Sequence, residues 1–152
     1  MSENTRVIHA TPAQVWEVLS DGWLYPTWVV GATRMRAVDD TWPLTGAKLH
    51  HSVGVWPAAL DDNTEVVASE PLHRLELQAR GWPFLGEARV VLDLEPVSEG
   101  TRVRMQEDAV SGPGRLVPSP LRQPMIAWRN VESLRRLAYV VEGRTSKSAL
   151  VD

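Results

Sequence analysis

The stretch VIHATPAQVWEVLSD (residues 7–21) joins the end of a short candidate strand to a helix with a well-marked start. Thr11 is a typical N-cap residue, Pro12 suits the first helical position, and Gln14 completes a capping box. One side of this helix is apolar, and it consists of Val15, Trp16, Val18 and Leu19. Gly22 can adopt a positive φ and is expected to end the helix.

A second short helix or turn is predicted at residues 23–28. Strand patterns dominate the chain from there to about Gly112. The strand-length segments are residues 5–9, 33–38, 47–56, 64–70, 73–79, 87–95 and 101–110. Turn-forming residues separate them, among them the run Asp61-Asp62-Asn63. Connections this short favour antiparallel neighbours, because a parallel crossover needs about a dozen residues. The sequence therefore predicts a seven-stranded antiparallel sheet.

A Pro- and Gly-rich loop then leads into one long amphipathic helix, predicted from about Pro120 or Pro124 to Glu142. Its apolar stripe consists of Ile126, Ala127, Asn130, Val131, Leu134, Leu137, Ala138 and Val141. The other side carries Arg129, Glu132, Arg135 and Arg136, which we interpret as a mainly solvated face. One helix covers only part of a seven-stranded sheet, so incomplete closure is expected to leave a cavity between them.

Composition predicts one soluble domain, residues 1–145, followed by a disordered tail at 146–152. The 152 residues are 43% hydrophobic and 23% charged, with a net charge of −3. This charge does not favour nucleic acid or anionic membranes as partners. The absence of Cys excludes disulfides and thiolate chemistry and suits a cytoplasmic location. No apolar run is long enough for a membrane span, and residues 1–10 do not resemble a signal peptide.

The segments together resemble the START-like, polyketide cyclase/dehydrase superfamily, also called SRPBCC. The resemblance covers about residues 6–143 and rests on residues 7–21, Trp28, residues 100–108 and residues 129–138. It implies an α+β helix-grip fold, in which a seven-stranded antiparallel sheet wraps around a long C-terminal helix, with two short helices between strands 1 and 2. Members bind lipids, sterols or polyketides in a hydrophobic pocket, and some cyclise or dehydrate them. The family has no universal catalytic set.

Strand alternation selects two candidate catalytic residues, because side chains at every second position share a face. Glu107 shares the inward face of its strand with Val103 and Met105, and His51 shares that of Leu49. A buried carboxylate can act as acid or base, but Glu107 could also reach the pocket rim or pair with an arginine such as Arg80 or Arg129. His51 could equally be a satisfied core residue.

Asn130 is the third candidate, because it interrupts the apolar stripe of the long helix. An amide in such a position needs a ligand or a buried hydrogen-bond partner, for example a loop carbonyl. Adjacent His50 and His51 point to opposite faces of a strand, so they cannot chelate one ion together. The sequence predicts no metal site and no cofactor.

Seven tryptophans in a chain with one Phe and two Tyr suggest either a packed core or the walls of a ligand site. We predict that Trp16 packs in the core, that Trp23 and Tyr25 shape a lid, and that Trp28 faces the pocket. The residues predicted to contact a ligand are Trp28, Met35, Val53, Trp56, Leu77, Trp82, Val90, Met105, Met125 and Trp128.

Three functions are compatible with these patterns. The first is binding of a small hydrophobic molecule, such as a lipid, a polyketide or an aromatic compound, by a monomer or homodimer. The second is a polyketide cyclase- or dehydratase-like reaction that uses Glu107 with His51 and Asn130. The third is a protein-interaction role resembling that of the Hsp90 co-chaperone activator domain, which requires an exposed apolar patch.

Overall fold

The computed structural model describes residues 2–30, 32–53, 60–80, 87–111, 116 and 118–151. The seven strands are β1 (Ser2–Ile8), β2 (Ala32–Val38), β3 (Lys48–Val53), β4 (Leu60–Glu70), β5 (Arg74–Arg80), β6 (Glu87–Val97) and β7 (Gly100–Ser111). The helices are α1 (Pro12–Leu19), a 3-10 turn at Gly22–Leu24, α2 (Tyr25–Trp28) and α3 (Ser119–Val151). The order of elements is the one predicted.

The strands form one antiparallel sheet in the order β1-β7-β6-β5-β4-β3-β2. The chain therefore runs as a meander from β2 to β7, and β1 joins the far edge beside β7. The helix α3 contacts β1 and β7, and α2 packs against both α3 and β2. This arrangement is the predicted α+β helix-grip fold, with two short helical segments between the first two strands.

The start of α1 is held by the predicted capping box. The Thr11 hydroxyl accepts a hydrogen bond from the Gln14 backbone N–H at 3.2 Å, and the Gln14 side chain accepts one from the Thr11 N–H at 2.9 Å. These two bonds satisfy backbone donors that a helix start leaves free. Val15, Val18 and Leu19 are buried, so the helix is fixed on the core by its apolar side.

The core lies between the inner face of the sheet and α3. From the sheet, Leu75, Leu92 and Val103 are fully buried. From α3, Leu134, Leu137, Ala138 and Val141 are buried at the three- and four-residue steps of the predicted stripe. Among the described helices, none combines the length and the apolar character that a membrane span requires.

The largest differences from the predicted boundaries are the start of β4 and the end of α3. The run Asp61-Asp62-Asn63, expected to be a turn, lies inside β4, where it pairs with residues 50–52 of β3. Pairing with a neighbouring strand here overrides the turn preference of Asp and Asn. The helix α3 runs to Val151 and not to Glu142, so it includes residues of the tail expected to be disordered.

Candidate ligand-binding site

A cavity of about 100 Å³ lies between the inner face of the sheet, α2 and α3. The residues around it are mostly apolar, with a small group of polar side chains. They are Tyr25, Trp28, Val29, Val30, Ala32, His51, Leu77, Ala79, Val90, Met105, Glu107, Arg129, Asn130 and Ser133. This composition is typical of sites that bind small organic molecules.

The floor of the cavity is built by neighbouring strands. Leu77 of β5 stands opposite Val90 of β6, and Val90 stands opposite Glu107 of β7. Met105 precedes Glu107 by two residues and therefore points to the same face. This strand register places the Glu107 carboxylate at the end of a row of apolar side chains.

The wall opposite the strands comes from α2, whose two aromatic rings meet edge to face. The rings of Tyr25 and Trp28 lie 5.6 Å apart between centroids, at 71°, and both side chains are buried. The Val30 N–H donates a hydrogen bond to the buried Ser133 hydroxyl at 3.2 Å, which ties the end of this segment to α3. The prediction that Tyr25 shapes a lid needs correction, because Tyr25 is part of the cavity wall, whereas Trp23 is 58% exposed.

Glu107 points inward, as strand alternation predicted, and its side chain is 2% exposed. One of its carboxylate oxygens, Oε1, accepts a hydrogen bond from the Arg129 guanidinium of α3. This ion pair joins β7 to the long helix across the cavity. It agrees with the alternative that Glu107 pairs with an arginine, and it corrects the assignment of Arg129 to the solvated face.

Arg129 lies where the cavity meets the solvent. The Arg129 side chain is 41% exposed. Loss of hydration around the guanidinium nevertheless lowers the pKa of Arg129 from the ordinary value. Arginine remains a cation at neutral pH despite such a shift. The pair with Glu107 therefore presents one positive and one negative charge, with no net charge.

Four buried polar atoms at the cavity have no hydrogen-bond partner within the described ranges. They are the second carboxylate oxygen of Glu107, Oε2, both the oxygen and the nitrogen of the Asn130 amide, and the imidazole Nδ1 of His51. The Asn130 residue is 0% exposed. Buried polar groups in folded proteins are nearly always satisfied by protein, water or ligand. The cavity thus offers unused hydrogen-bonding capacity in an apolar setting.

His51 belongs to a chain of three hydrogen-bonded side chains, together with Thr64 and Tyr25. The Thr64 hydroxyl lies 2.8 Å from the imidazole Nε2 of His51 and 3.3 Å from the Tyr25 hydroxyl. Burial lowers the pKa of His51 to about 4, so the ring is neutral at neutral pH. Burial also raises the pKa of the Tyr25 hydroxyl. His51 is therefore a neutral hydrogen-bonding residue of the cavity wall.

The residues predicted from the sequence divide into four groups. Trp28, Leu77, Val90 and Met105 line the cavity together with His51, Glu107 and Asn130, and their contact with a ligand stays a prediction. Met35 is half-buried and packs against the core without lining the cavity. The side chain of Val53, together with Trp56 and Trp82, lies outside the described residues.

Met125 and Trp128, which were also predicted to contact a ligand, form the fourth group and do not line the cavity. They are 75% and 69% exposed, with Leu121 beside them at 67%. At about 100° per residue, these positions lie on the side of α3 opposite Leu134 and Leu137. They form an exposed apolar row on the outside of the helix.

Some cavity residues were not singled out as site residues by the sequence. Ala79 is on the inward face that alternation assigned to β5, but a small side chain carries no functional signal. Ser133 precedes the buried Leu134 and is 2% exposed, and its spacing of three residues from Asn130 and four from Leu137 was the available sign. In the described part of the chain, no three His, Asp or Glu side chains come close enough to hold a metal ion.

Comparisons with known proteins place this geometry in a family. The family model described as polyketide cyclase/dehydrase and lipid transport matches residues 2–142. Among curated proteins, none matches the chain. A protein of solved structure from Rhodobacter sphaeroides is 26% identical, with a TM-score of 0.71 over 93% of this chain and 91% of its own.

Two further solved structures share the fold at lower identity. Ara h 8.0201 is 11% identical, with a TM-score of 0.68 over 93% of this chain and 96% of its own. StfQ is a di-domain ARO/CYC protein from the steffimycin biosynthetic pathway. It is 13% identical, with a TM-score of 0.72 over 95% of this chain and 51% of its own, so this chain corresponds to about half of StfQ.

Proposed function

The chain belongs to the polyketide cyclase/dehydrase and lipid-transport family, and from that membership we propose that it binds a small, largely apolar molecule in the cavity between the sheet and α3. The observation that carries this proposal is the cavity itself. Its floor is formed by Leu77, Val90 and Met105, and its wall by Tyr25 and Trp28. Burial of a ligand's apolar surface against these side chains is worth about 25 cal/mol for each Å² removed from water.

The size of the cavity limits what it encloses. At about 100 Å³, it is smaller than the roughly 300–1,000 Å³ of pockets that enclose drug-sized ligands. An apolar cavity of about 150 Å³ is enough for a benzene ring. The part of the ligand held between the sheet and α3 is therefore no larger than one ring, and a larger molecule would extend past Arg129 to the solvent.

Filling the cavity tests the proposal directly. Ala79→Phe places a ring into the space from β5, and we expect it to lower the bound fraction of any copurified or added ligand at least tenfold. Overpacking costs about 1–3 kcal/mol of stability, so the domain should still fold. The measurement is native mass spectrometry of freshly purified protein, in which an excess mass over the denatured chain reveals a ligand.

Ala37→Phe is the matched control, because it makes the same change at an exposed position of β2, opposite the outward-facing His50. It should retain the ligand of the wild-type protein. Equal loss of ligand in both variants, or equal retention in both, would place the ligand elsewhere.

A second candidate function is a cyclase- or dehydratase-like reaction. The observation that favours it is that Glu107, His51 and Asn130 line the same cavity. A dehydration removes one water from the substrate, so a bound molecule that becomes lighter during incubation would distinguish this reaction from binding alone. The protein-interaction hypothesis stays a prediction, and the exposed apolar row of α3 is the surface that it would require.

A further inference from the structure

We propose that the cavity selects an uncharged molecule in which a carbonyl lies next to an O–H or N–H group. This inference rests on the proposed function, since it names the chemistry of the molecule that the cavity binds. It follows from the three unpartnered polar atoms of Glu107 and Asn130 and from the charge balance around them.

Asn130 sets the first requirement. Its side chain is fully buried on α3, and neither its amide oxygen nor its amide nitrogen has a hydrogen-bond partner among the residues described. The nitrogen donates and the oxygen accepts, so a complementary group has an acceptor and a donor side by side. An amide, a hydroxy ketone or an enolised diketone has this arrangement.

Glu107 sets the second requirement. Its Oε1 is engaged by Arg129, whereas its Oε2 is buried without a described partner. An ionised carboxylate oxygen only accepts hydrogen bonds, so the ligand must bring a donor to it. A hydrogen bond to a charged group is stronger than one between neutral groups, which makes this donor a strong determinant of selectivity.

Two other classes of ligand are excluded, one by the charge balance and one by the unpartnered polar atoms. Because Arg129 already neutralises Glu107, a carboxylate or phosphate entering the cavity would face the Glu107 charge without a free cation in the pair. A pure hydrocarbon would leave the polar atoms of Glu107 and Asn130 unsatisfied, and each buried polar group without a partner lowers the affinity. An uncharged carbonyl compound with a donor avoids both penalties.

Three probes with a phenyl ring and a branched substituent of the same size separate these classes: benzamide, benzoate and α-methylstyrene. Benzamide is neutral and carries an acceptor and a donor, benzoate is anionic, and α-methylstyrene is apolar. We expect wild-type protein to bind benzamide at least tenfold more tightly than either of the others, as measured by isothermal titration calorimetry. Equal or tighter binding of benzoate or α-methylstyrene would overturn the inference.

Two variants are each expected to change the relative affinities for these probes. In Asn130→Leu the amide is replaced by an apolar side chain of similar size, so α-methylstyrene should bind at least as tightly as benzamide. In Glu107→Gln the Arg129 guanidinium loses its counter-ion, so benzoate affinity should rise at least tenfold. Glu95→Gln is the control, because it removes an exposed negative charge that is paired with Arg102 and should leave benzoate binding unchanged.

Circular dichroism and thermal melting show whether each variant folds. If a variant does not fold, the relative affinities of the wild-type protein for the three probes still test the inference. A result in which α-methylstyrene binds best would contradict the inference and leave the proposed binding function intact. If none of the probes binds and the purified protein carries no excess mass, both the inference and the proposed function fail.

Discussion

Replacing Arg129 by Met is expected to lower the free energy of unfolding by about 3 kcal/mol. The change leaves Glu107, which is 2% exposed, as a buried carboxylate without a counter-ion. Removal of one partner from a buried ion pair typically costs about 3–5 kcal/mol, because the remaining charge stays out of water. The half-exposed position of Arg129 allows some water to replace it, which favours the lower end of that range. Urea unfolding at neutral pH measures the difference.

Arg136→Met is the matched control on the same helix. Arg136 pairs with Glu132 at 3.1 Å in a partly exposed i,i+4 arrangement, and surface pairs of this kind contribute less than about 1 kcal/mol. The double variant Glu107→Leu with Arg129→Met removes both charges and should recover most of the lost stability. A loss for Arg129→Met no larger than that of Arg136→Met would show that Glu107 does not depend on Arg129.

Leu137→Ala is expected to destabilise the protein by about 2–5 kcal/mol. Leu137 is 0% exposed and lies in the centre of the α3 face that packs on the sheet. The substitution removes buried methyl groups and leaves a cavity between the helix and the strands, and both effects reduce stability. Thermal and urea unfolding of the variant give the magnitude.

Val131→Ala provides the contrast, since Val131 was placed in the apolar stripe by its sequence position but is 51% exposed. Exposed substitutions of this kind change stability by no more than about 0.5 kcal/mol. Similar losses for Leu137→Ala and Val131→Ala would mean that α3 presents a different face to the sheet.

Local patterns in the sequence predicted the elements of the fold and part of the candidate site, and the family resemblance implied how the sheet and the long helix are arranged. The capping box at Thr11 marked the start of α1, and alternation placed Glu107 and His51 on the inner face of the sheet. These predictions succeeded because they depend only on covalent spacing and on a face that must be buried. Asn130 was identified because an amide in an apolar helical stripe needs a buried hydrogen-bond partner or a ligand.

The rest of the site depends on contacts between distant segments. Arg129 lies at the edge of the α3 stripe, where a long side chain can reach either solvent or the sheet, and only the position of β7 decides that it meets Glu107. Met125 and Trp128 are apolar and close to the site in sequence, but helical rotation points them outward. Tyr25 becomes part of the wall because Thr64, in a distant strand, lies beside its hydroxyl.

The measurement that tests the central claim most directly is the nuclear magnetic resonance spectrum of isotope-labelled methionine methyl groups during a titration. The chain has four methionines; Met105 lines the cavity and is 4% exposed, whereas Met125 lies on the outside of α3. Addition of benzamide or α-methylstyrene should shift the Met105 methyl signal and leave that of Met125 unchanged. A shift of Met125 with an unchanged Met105, or no shift with either probe, would contradict ligand binding between the sheet and α3.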